Sequence, residues 1–418
     1  MFKQLETLHE FKTPSGMHVT ILHKPDFKQQ SMIIGVPFGG IHSDVFDNHG
    51  KPYAPGLAHF LEHKLFESES GDIMAQFSSL GASVNAFTSY QETCYYFNTT
   101  SNFEASSQLL LDLVSECTLS EESVEKEKGI IISELSMYEA MVDQALVKHM
   151  YQALYHQHPI RHDIGGSKES VREISVENLM DAFERFYHPS SMRCVCVSHE
   201  PIEKVEAMIL AHPLSHQQTQ PGVIKTISGH EPIEVVQKHV EVRMDIEQAK
   251  GVLALKLQAH HDNAMKTVLR QFALRFLLEA TFSELNPMYQ QWLDEELIND
   301  FFDMDVDVSK TYSYVAFIIE HDQLDVVFDW LLNALKNVSI DDVTLNQLKR
   351  RYLGMSLKAL NKPSSLSKQM IRYALNDLDF FDVLNLFQSM SMSDIEEAQQ
   401  ILREGLSHHS RVKILPMH

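Results

Sequence analysis

The sequence predicts an α+β protein made of two homologous halves, each a mostly antiparallel sheet with helices packed on one face. The first observation is that strand-like segments follow one another after short turns, as TCYYFNTT follows SVNAFTS. The second is a repeat: SVENLMDAFERFYHPSSMRCVCV, from Ser175, aligns without gaps with SDIEEAQQILREGLSHHSRVKIL, from Ser393. Each copy begins as a helix and ends as a strand, and the offset of half the chain indicates a duplication.

The elements of the first half follow from hydrophobic periodicity. The segments GMHVTILHK and SMIIGVPFGG alternate as strands do. Apolar residues spaced three and four apart predict helices around 56–67 and 72–80. The strands SVNAFTS and TCYYFNTT come next, then long helices to about residue 188 and a last strand at 192–198.

A change in composition marks the middle of the chain. Residues 212–232, HPLSHQQTQPGVIKTISGHEP, are rich in Pro, Gly, Ser, Gln and Thr and predict a linker. Strand-like alternation resumes in IEVVQKHVEVRM, and helices over 263–284, strands in FFDMDVDVSKTYSYVAFIIE and further helices repeat the earlier order. We therefore predict a first domain at 1–211, a linker at 212–232 and a homologous second domain at 233–418.

Composition excludes several classes of function. The net charge of −22, with no basic face evident, argues against a nucleic-acid binder. Four scattered cysteines do not form a disulfide framework. No apolar run approaches the ~18 residues of a membrane helix, and the first residues lack the pattern of a secretion signal or transit peptide. We expect a soluble, cytoplasmic protein with no nucleic-acid or membrane partner.

The segment GLAHFLEHKLFE, residues 56–67, carries the chemistry. His59 and His63 lie one turn apart, so a helix presents both imidazoles on one face, with Glu62 at its border. Two such imidazoles can bind one metal ion, and zinc suits imidazole and carboxylate ligands best. Among 23 histidines the spacing can also arise by chance. A catalytic zinc needs a third protein ligand.

The segment SVEKEKGIIISELSMYEAM offers that ligand. Glu127 and Glu134 are two turns apart and share a helix face. An unpaired carboxylate is costly in apolar surroundings, and the neighbours of Glu134 are Ile130, Ile131, Ile132, Leu135 and Met137. A bound metal would account for it. The alternative is an exposed face of a charged helix, which suits Glu125 better.

Together these motifs resemble a known family. The order HFLEH and then EKEKGIIISEL resembles the pitrilysin family of zinc metallopeptidases, the inverzincins, whose motif reverses the HExxH of common zincins. That family includes the insulin-degrading enzyme and the β subunit of the mitochondrial processing peptidase. The likeness extends to GASVNAFTSYQETCYYF and, through the two halves, to essentially the whole chain, as in a half-length bacterial member.

The resemblance implies a role for each residue of the two helices. It implies that His59, His63 and Glu134 bind one zinc ion per chain. It makes Glu62 the general base that takes a proton from water and hands it to the leaving amine. It makes Glu127 a second acidic residue that supports catalysis without binding the metal, consistent with a hydrogen bond to one of the two histidines.

The resemblance also implies how a substrate binds, and where this chain departs from the pattern. Asn85, Ala86 and Phe87 match the edge strand on which family members lay an extended peptide. The second half of family members supplies an Arg and a Tyr that grip the substrate. Here Asp294 and Asn299 stand at about those positions, so the second half does not complete the site.

These inferences lead to two functional hypotheses. The first is a zinc metalloendopeptidase that cleaves small unfolded or precursor peptides inside a clamshell. It would act as a heterodimer with a paralogue lacking the metal motif, or as a homodimer in which Tyr289 or another group substitutes. The second is a non-enzymatic core or scaffold subunit that keeps the fold. The sequence itself also leaves open a metal-dependent hydrolase that acts on something other than peptides.

Overall fold

A computed structural model describes residues 7–68, 71–218, 224–226 and 231–417. The strands are β1 (Thr7–Lys12), β2 (His18–His23), β3 (Gln30–Val36), β4 (Glu67–Ser68), β5 (Gly71–Asp72), β6 (Ala82–Thr88), β7 (Thr93–Thr99), β8 (Arg193–Ser198), β9 (His239–Met244), β10 (Lys250–Lys256), β11 (Asp303–Val308), β12 (Ser313–Glu320) and β13 (His409–Pro416). The α-helices are α1 (Leu57–Leu65), α2 (Ile73–Ser79), α3 (Phe103–Ser115), α4 (Glu121–Glu139), α5 (Val142–Leu154), α6 (Lys168–Glu173), α7 (Val176–Phe186), α8 (Ile202–Ala211), α9 (Ala264–Phe282), α10 (Tyr289–Asp294), α11 (Leu324–Leu335), α12 (Asp342–Ala359), α13 (Pro363–Ala374), α14 (Phe380–Ser389) and α15 (Met392–Gly405). Among these helices, none is both long and apolar enough to cross a lipid bilayer.

Two larger sheets share one topology. The first has the strand order β1-β2-β8-β3-β7-β6 and the second β11-β12-β10-β13-β9. The order β2-β8-β3-β7-β6 in the first sheet corresponds to the order β9-β13-β10-β12-β11 in the second, with the same position along the chain for each pair of strands. Both sheets are antiparallel except for one parallel pair, β2 with β8 and β9 with β13. The predicted α+β class is confirmed, and the repeated order fits the duplication inferred from sequence.

The chain forms two compact units, and each takes segments from both halves of the sequence. The first comprises Met1–Leu135, His162–Ser228 and Met355–Leu384, and the second comprises Ser136–Arg161, Gly229–Gly354 and Asn385–His418. The division at 1–211, 212–232 and 233–418 stays a prediction, and part of its linker lies outside the described residues. The strand expected at the start of the second half is shorter than its alternation indicated, since β9 begins at His239.

Both faces of the first sheet are covered. Met32 and Ile34 of β3 join a hydrophobic core with Phe60 of α1. The alternate residues of β3 face α13, where the Ser31 and Ser367 hydroxyls lie 2.9 Å apart. The sequence carried no signal for this second helical layer, because α13 comes from the far end of the chain.

A buried ion pair organises part of the second unit. Lys256 is 2 % exposed and donates hydrogen bonds to the Glu231 carboxylate and, at 2.8 Å, to the Leu154 carbonyl. The same carboxylate accepts the backbone N–H groups of residues 156, 157 and 158. Burial alone would raise the pKa of Glu231, but these hydrogen bonds outweigh it and lower the pKa to about 2.

We expect Glu231→Gln to destabilise the folded protein by about 3 kcal/mol, because it leaves the Lys256 ammonium buried without its counter-charge. Urea denaturation monitored by circular dichroism measures the loss, with Glu247→Gln, an exposed glutamate, as the control. Since the folded pKa lies below the ordinary value of 4.5, the contribution of Glu231 is present above pH 4.5 and is lost as the pH falls toward 2. Equal stability of the variant and the parent at pH 7 would contradict this account.

Candidate metal centre

Helix α1 buries one face and presents the other to the site. Phe60 and Leu61 are completely buried, and they anchor the helix in the core. His59, Glu62 and His63 lie on the remaining face and are half-buried. The helical spacing therefore puts the two imidazoles side by side, with ring centroids 4.6 Å apart.

Glycines fix the start of this helix. Gly56 precedes α1 with a φ of 97°, and a Cβ there would lie 2.5 Å from the Gly165 carbonyl oxygen. Gly166 has a φ of 81°, and a Cβ there would collide with the Pro55 carbonyl. Backbone thus packs directly on backbone, which only glycine permits at these positions. The loop at 163–166 thereby supports α1 one turn before His59.

Helix α4 supplies two carboxylates of different exposure. The side chain of Glu127 is 7 % exposed and that of Glu134 is 22 % exposed. Ile131 is buried between them, but Ile130 and Met137 are 46 % and 51 % exposed. Some of the apolar residues near Glu134 in the sequence are therefore buried as expected, and others face the solvent. Glu127 is the more deeply buried carboxylate.

The structure brings three of the predicted residues together. The Glu134 Oε2 atom lies 3.9 Å from His59 Nε2 and 3.5 Å from His63 Nε2. One ligand atom from each of the three lies within 4.8 Å of the other two, and this is the one such group of three or more His, Cys, Asp or Glu side chains in the described part of the chain. The His63 Nδ1 atom donates to Glu127 Oε1 at 2.9 Å. A carboxylate behind a ligating imidazole fixes its tautomer and orientation, so these residues fit a zinc ion.

The two imidazoles have pKa shifts of opposite sign. Burial and the neighbouring His63 lower the pKa of His59 to about 4, against the opposing charges of Glu134 and Glu127. His59 is therefore neutral at pH 7 and can offer a nitrogen lone pair. For His63, burial would lower the pKa, but the hydrogen bond and charge of Glu127 outweigh it and raise the pKa.

Glu62 stands outside the group of three and has its own partner. Its Oε2 atom accepts a hydrogen bond of 2.6 Å from the Thr88 hydroxyl. Burial raises the pKa of Glu62, while the Thr88 hydrogen bond acts in the opposite direction. A carboxylate with a raised pKa beside a metal centre is suited to accept and return a proton.

Asn85, Ala86 and Phe87 lie on β6, the last strand of the first sheet. This strand pairs antiparallel with β7, and Ala86 lies opposite Tyr95. The Ala86 N–H is bonded to the side-chain oxygen of Asn85 at 2.8 Å. Helix α1 packs against β6, so the sheet edge and the helix that carries the histidines are neighbours.

Asp294 and Asn299 are engaged locally within the second unit. Asp294 ends α10 and accepts a hydrogen bond from Gln290 Nε2 at 3.0 Å. The Asn299 Nδ2 atom donates to the Glu320 carbonyl at 2.8 Å. Both side chains therefore have structural partners, and neither carries the cation or phenol of the family pattern.

Sequence reasoning missed two features of the site. The alternating pattern predicts Thr88 only as a strand residue, although its hydroxyl donates a hydrogen bond to Glu62. The glycine pair at 165–166 packs on the start of α1. The double glycine was the available signal, but the sequence does not reveal which helix it contacts.

We expect Glu127→Gln to weaken zinc binding by about 10- to 100-fold, because the carboxylate charge behind His63 is lost. Glutamine keeps an oxygen that accepts the Nδ1–H group, so the fold should persist. Competition with a fluorescent zinc chelator measures the affinity. Glu122→Gln, at the exposed start of the same helix, is the control and should bind zinc as the parent does. An unchanged affinity in Glu127→Gln would contradict the orienting role of this carboxylate.

Comparison with known proteins gives consistent matches. Residues 48–168 match the family model described as Insulinase (Peptidase family M16). The "Uncharacterized zinc protease YmfH" of Bacillus subtilis (strain 168) is 31% identical over 407 residues, covering 96% of this chain and 95% of that protein. The crystal structure of a putative M16-like peptidase from Alicyclobacillus acidocaldarius is similar to this chain, with a TM-score of 0.91 at 27% identity over 98% of both chains. A peptidase M16 inactive domain from Pseudomonas fluorescens shares the fold, with a TM-score of 0.78 at 15% identity over 99% of this chain and 98% of that one.

Proposed function

Because this chain belongs to peptidase family M16, the pitrilysin family, we propose that it is a zinc-dependent endopeptidase that cleaves small unfolded or precursor peptides. One observation carries the proposal: His59, His63 and Glu134 converge while Glu127 holds His63 from behind. These four side chains are those that would bind a zinc ion and orient one of its ligands. A chain that kept only the fold would have no need of this arrangement.

The residues divide the chemistry between them. His59, His63 and Glu134 would hold the zinc, which supplies Lewis acidity to a water molecule and to the scissile carbonyl. Glu62 accepts a proton from the attacking water and later delivers it to the leaving amine. Glu127 keeps the His63 ring in the orientation that turns its Nε2 atom toward Glu134.

The substrate binds as an added strand in this proposal. Asn85, Ala86 and Phe87 lie at the edge of the first sheet, beside α1. A peptide paired with this edge would be held by main-chain hydrogen bonds, which recognise an extended conformation more than a particular sequence. We therefore expect broad sequence tolerance and a strong preference for unfolded peptides.

The chain acts with a partner in this proposal. Asp294 and Asn299 stand where family members carry an Arg and a Tyr, and a carboxylate does not stabilise a developing oxyanion. A paralogue that lacks the metal motif but retains those two groups would supply them and close around the peptide. In the alternative, a homodimer, Tyr289 would take over part of this role.

A second candidate function is a non-catalytic core or scaffold subunit. Its support is the fold shared with the peptidase M16 inactive domain from Pseudomonas fluorescens. Zinc separates the two possibilities, because a scaffold needs no stoichiometric metal.

Purification of the complex from its native cell, followed by metal analysis and digestion of unfolded peptides, tests the proposal. We expect one zinc per chain and cleavage that a chelator abolishes and added zinc restores. A zinc-free complex without peptidase activity would favour the scaffold. Robust activity of the chain alone, at concentrations where it is monomeric, would contradict the need for a partner.

A further inference from the structure

Thr88 is the last residue of β6 and directly follows the segment 85–87. Its hydroxyl lies 2.6 Å from Glu62 Oε2 and 3.3 Å from the hydroxyl of Thr93, its cross-strand neighbour on β7. Thr93 is completely buried. Its own hydroxyl donates to the Phe38 carbonyl at 2.8 Å. The three groups form a short polar chain from the sheet to α1.

The direction of the hydrogen bonds follows from the donors available. A hydroxyl carries a single hydrogen. The hydrogen of Thr93 is directed to the Phe38 carbonyl, which can only accept. An ionised carboxylate can only accept, so the hydrogen of Thr88 is directed to Glu62 Oε2, which is also the nearer of its two neighbours. Such charge-assisted hydrogen bonds are short and strong, which agrees with the 2.6 Å separation.

We propose that Thr88 is a positioning residue that holds one oxygen of Glu62, so that the other faces the water that Glu62 deprotonates. This inference rests on the proposed peptidase function. The Glu62 side chain could adopt several rotamers, and the hydrogen bond from Thr88 to one carboxylate oxygen favours one of them. General-base catalysis depends on the carboxylate lying within hydrogen-bond reach of its water.

The position of Thr88 has a further consequence for the substrate. We expect β6 to pair with a peptide through residues 85–87. The same strand ends at Thr88, whose hydroxyl is hydrogen-bonded to Glu62. Displacement of this edge would therefore move the base as well.

Three substitutions test this role in the zinc-loaded complex. We expect Thr88→Val, which keeps the shape and removes the hydroxyl, to lower kcat by about 10- to 100-fold, since small displacements of a catalytic group have effects of this size. KM and zinc content should be unchanged. Thr88→Ser should restore kcat to near the parental value. Thr20→Val, at a half-buried threonine of β2 in the same sheet, is the control and should behave as the parent does.

A double-mutant comparison separates positioning from general destabilisation. In a Glu62→Gln background, Thr88→Val should lower the residual rate no further, because the group that Thr88 positions is already disabled. The same loss in both backgrounds, a parental kcat in Thr88→Val, or no rescue by serine would overturn the proposal.

A crystal structure of each variant gives a second measurement that does not depend on activity. The Glu62 carboxylate should keep its position in Thr88→Ser and leave it in Thr88→Val. If the parental complex hydrolyses no peptide, the proposed function fails, and the position of Glu62 still decides the role of Thr88. An unmoved carboxylate in Thr88→Val would refute that role even in an active enzyme.

Discussion

Substitution of Glu62 by glutamine is expected to abolish peptide hydrolysis while zinc stays bound. The side chain lies beside the three converging groups without belonging to them, so the glutamine variant keeps His59, His63 and Glu134 intact. Glutamine can still accept the Thr88 hydrogen bond, but it cannot take a proton from water. Loss of a general base lowers kcat by about 10²- to 10⁴-fold.

The measurement pairs kcat on a fluorogenic unfolded peptide with zinc content determined by mass spectrometry. Glu122→Gln, which removes an exposed carboxylate at the start of α4, controls for the change in net charge and should leave kcat unchanged. A Glu62→Gln complex that cleaves at near the parental rate would remove Glu62 from the role of base.

His63→Ala is expected to abolish both zinc binding and hydrolysis. The substitution removes one of the three converging groups, and it also leaves the buried Glu127 carboxylate without its imidazole partner. An orphaned buried carboxylate adds a destabilisation of about 1 to 3 kcal/mol. The variant should therefore melt at a lower temperature than the parent.

Thermal unfolding with and without zinc checks this prediction. A ligand that binds only the folded state raises the melting temperature, so zinc should stabilise the parent and leave His63→Ala unaffected. His49→Ala, at an exposed histidine paired with Glu177, serves as the control and should respond to zinc as the parent does. A zinc-dependent shift of parental size in His63→Ala would show that the ion binds elsewhere.

The helices that carry the site were predictable because periodicity is a local property. The spacing of His59 and His63 on α1, and of Glu127 and Glu134 on α4, follows from 3.6 residues per turn. The resemblance to the pitrilysin family predicted that α1 and α4 lie next to each other at the metal site. The sequence did not predict which of the two glutamates is the more deeply buried. It favoured burial of Glu134, whereas Glu127 is buried more deeply because it forms a hydrogen bond with His63.

Features that depend on distant contacts were not predictable. Glu231 lies in a stretch that reads as a linker, yet it neutralises a buried lysine on β10 and accepts three backbone N–H groups. Thr88 reads as an ordinary strand residue because threonine favours strands. Only the packing of β6 against α1 reveals that its hydroxyl meets Glu62. Polar partners of this kind leave no periodic trace in the sequence.

The most direct test of the central claim is diffraction from zinc-soaked crystals, recorded on both sides of the zinc absorption edge. We expect a single strong anomalous peak in the described part of the chain, bounded by the Nε2 atoms of His59 and His63 and by the Glu134 carboxylate. A zinc peak at another place, or none at this one after soaking at pH 7, would contradict the assignment of these three side chains and the peptidase chemistry built on them.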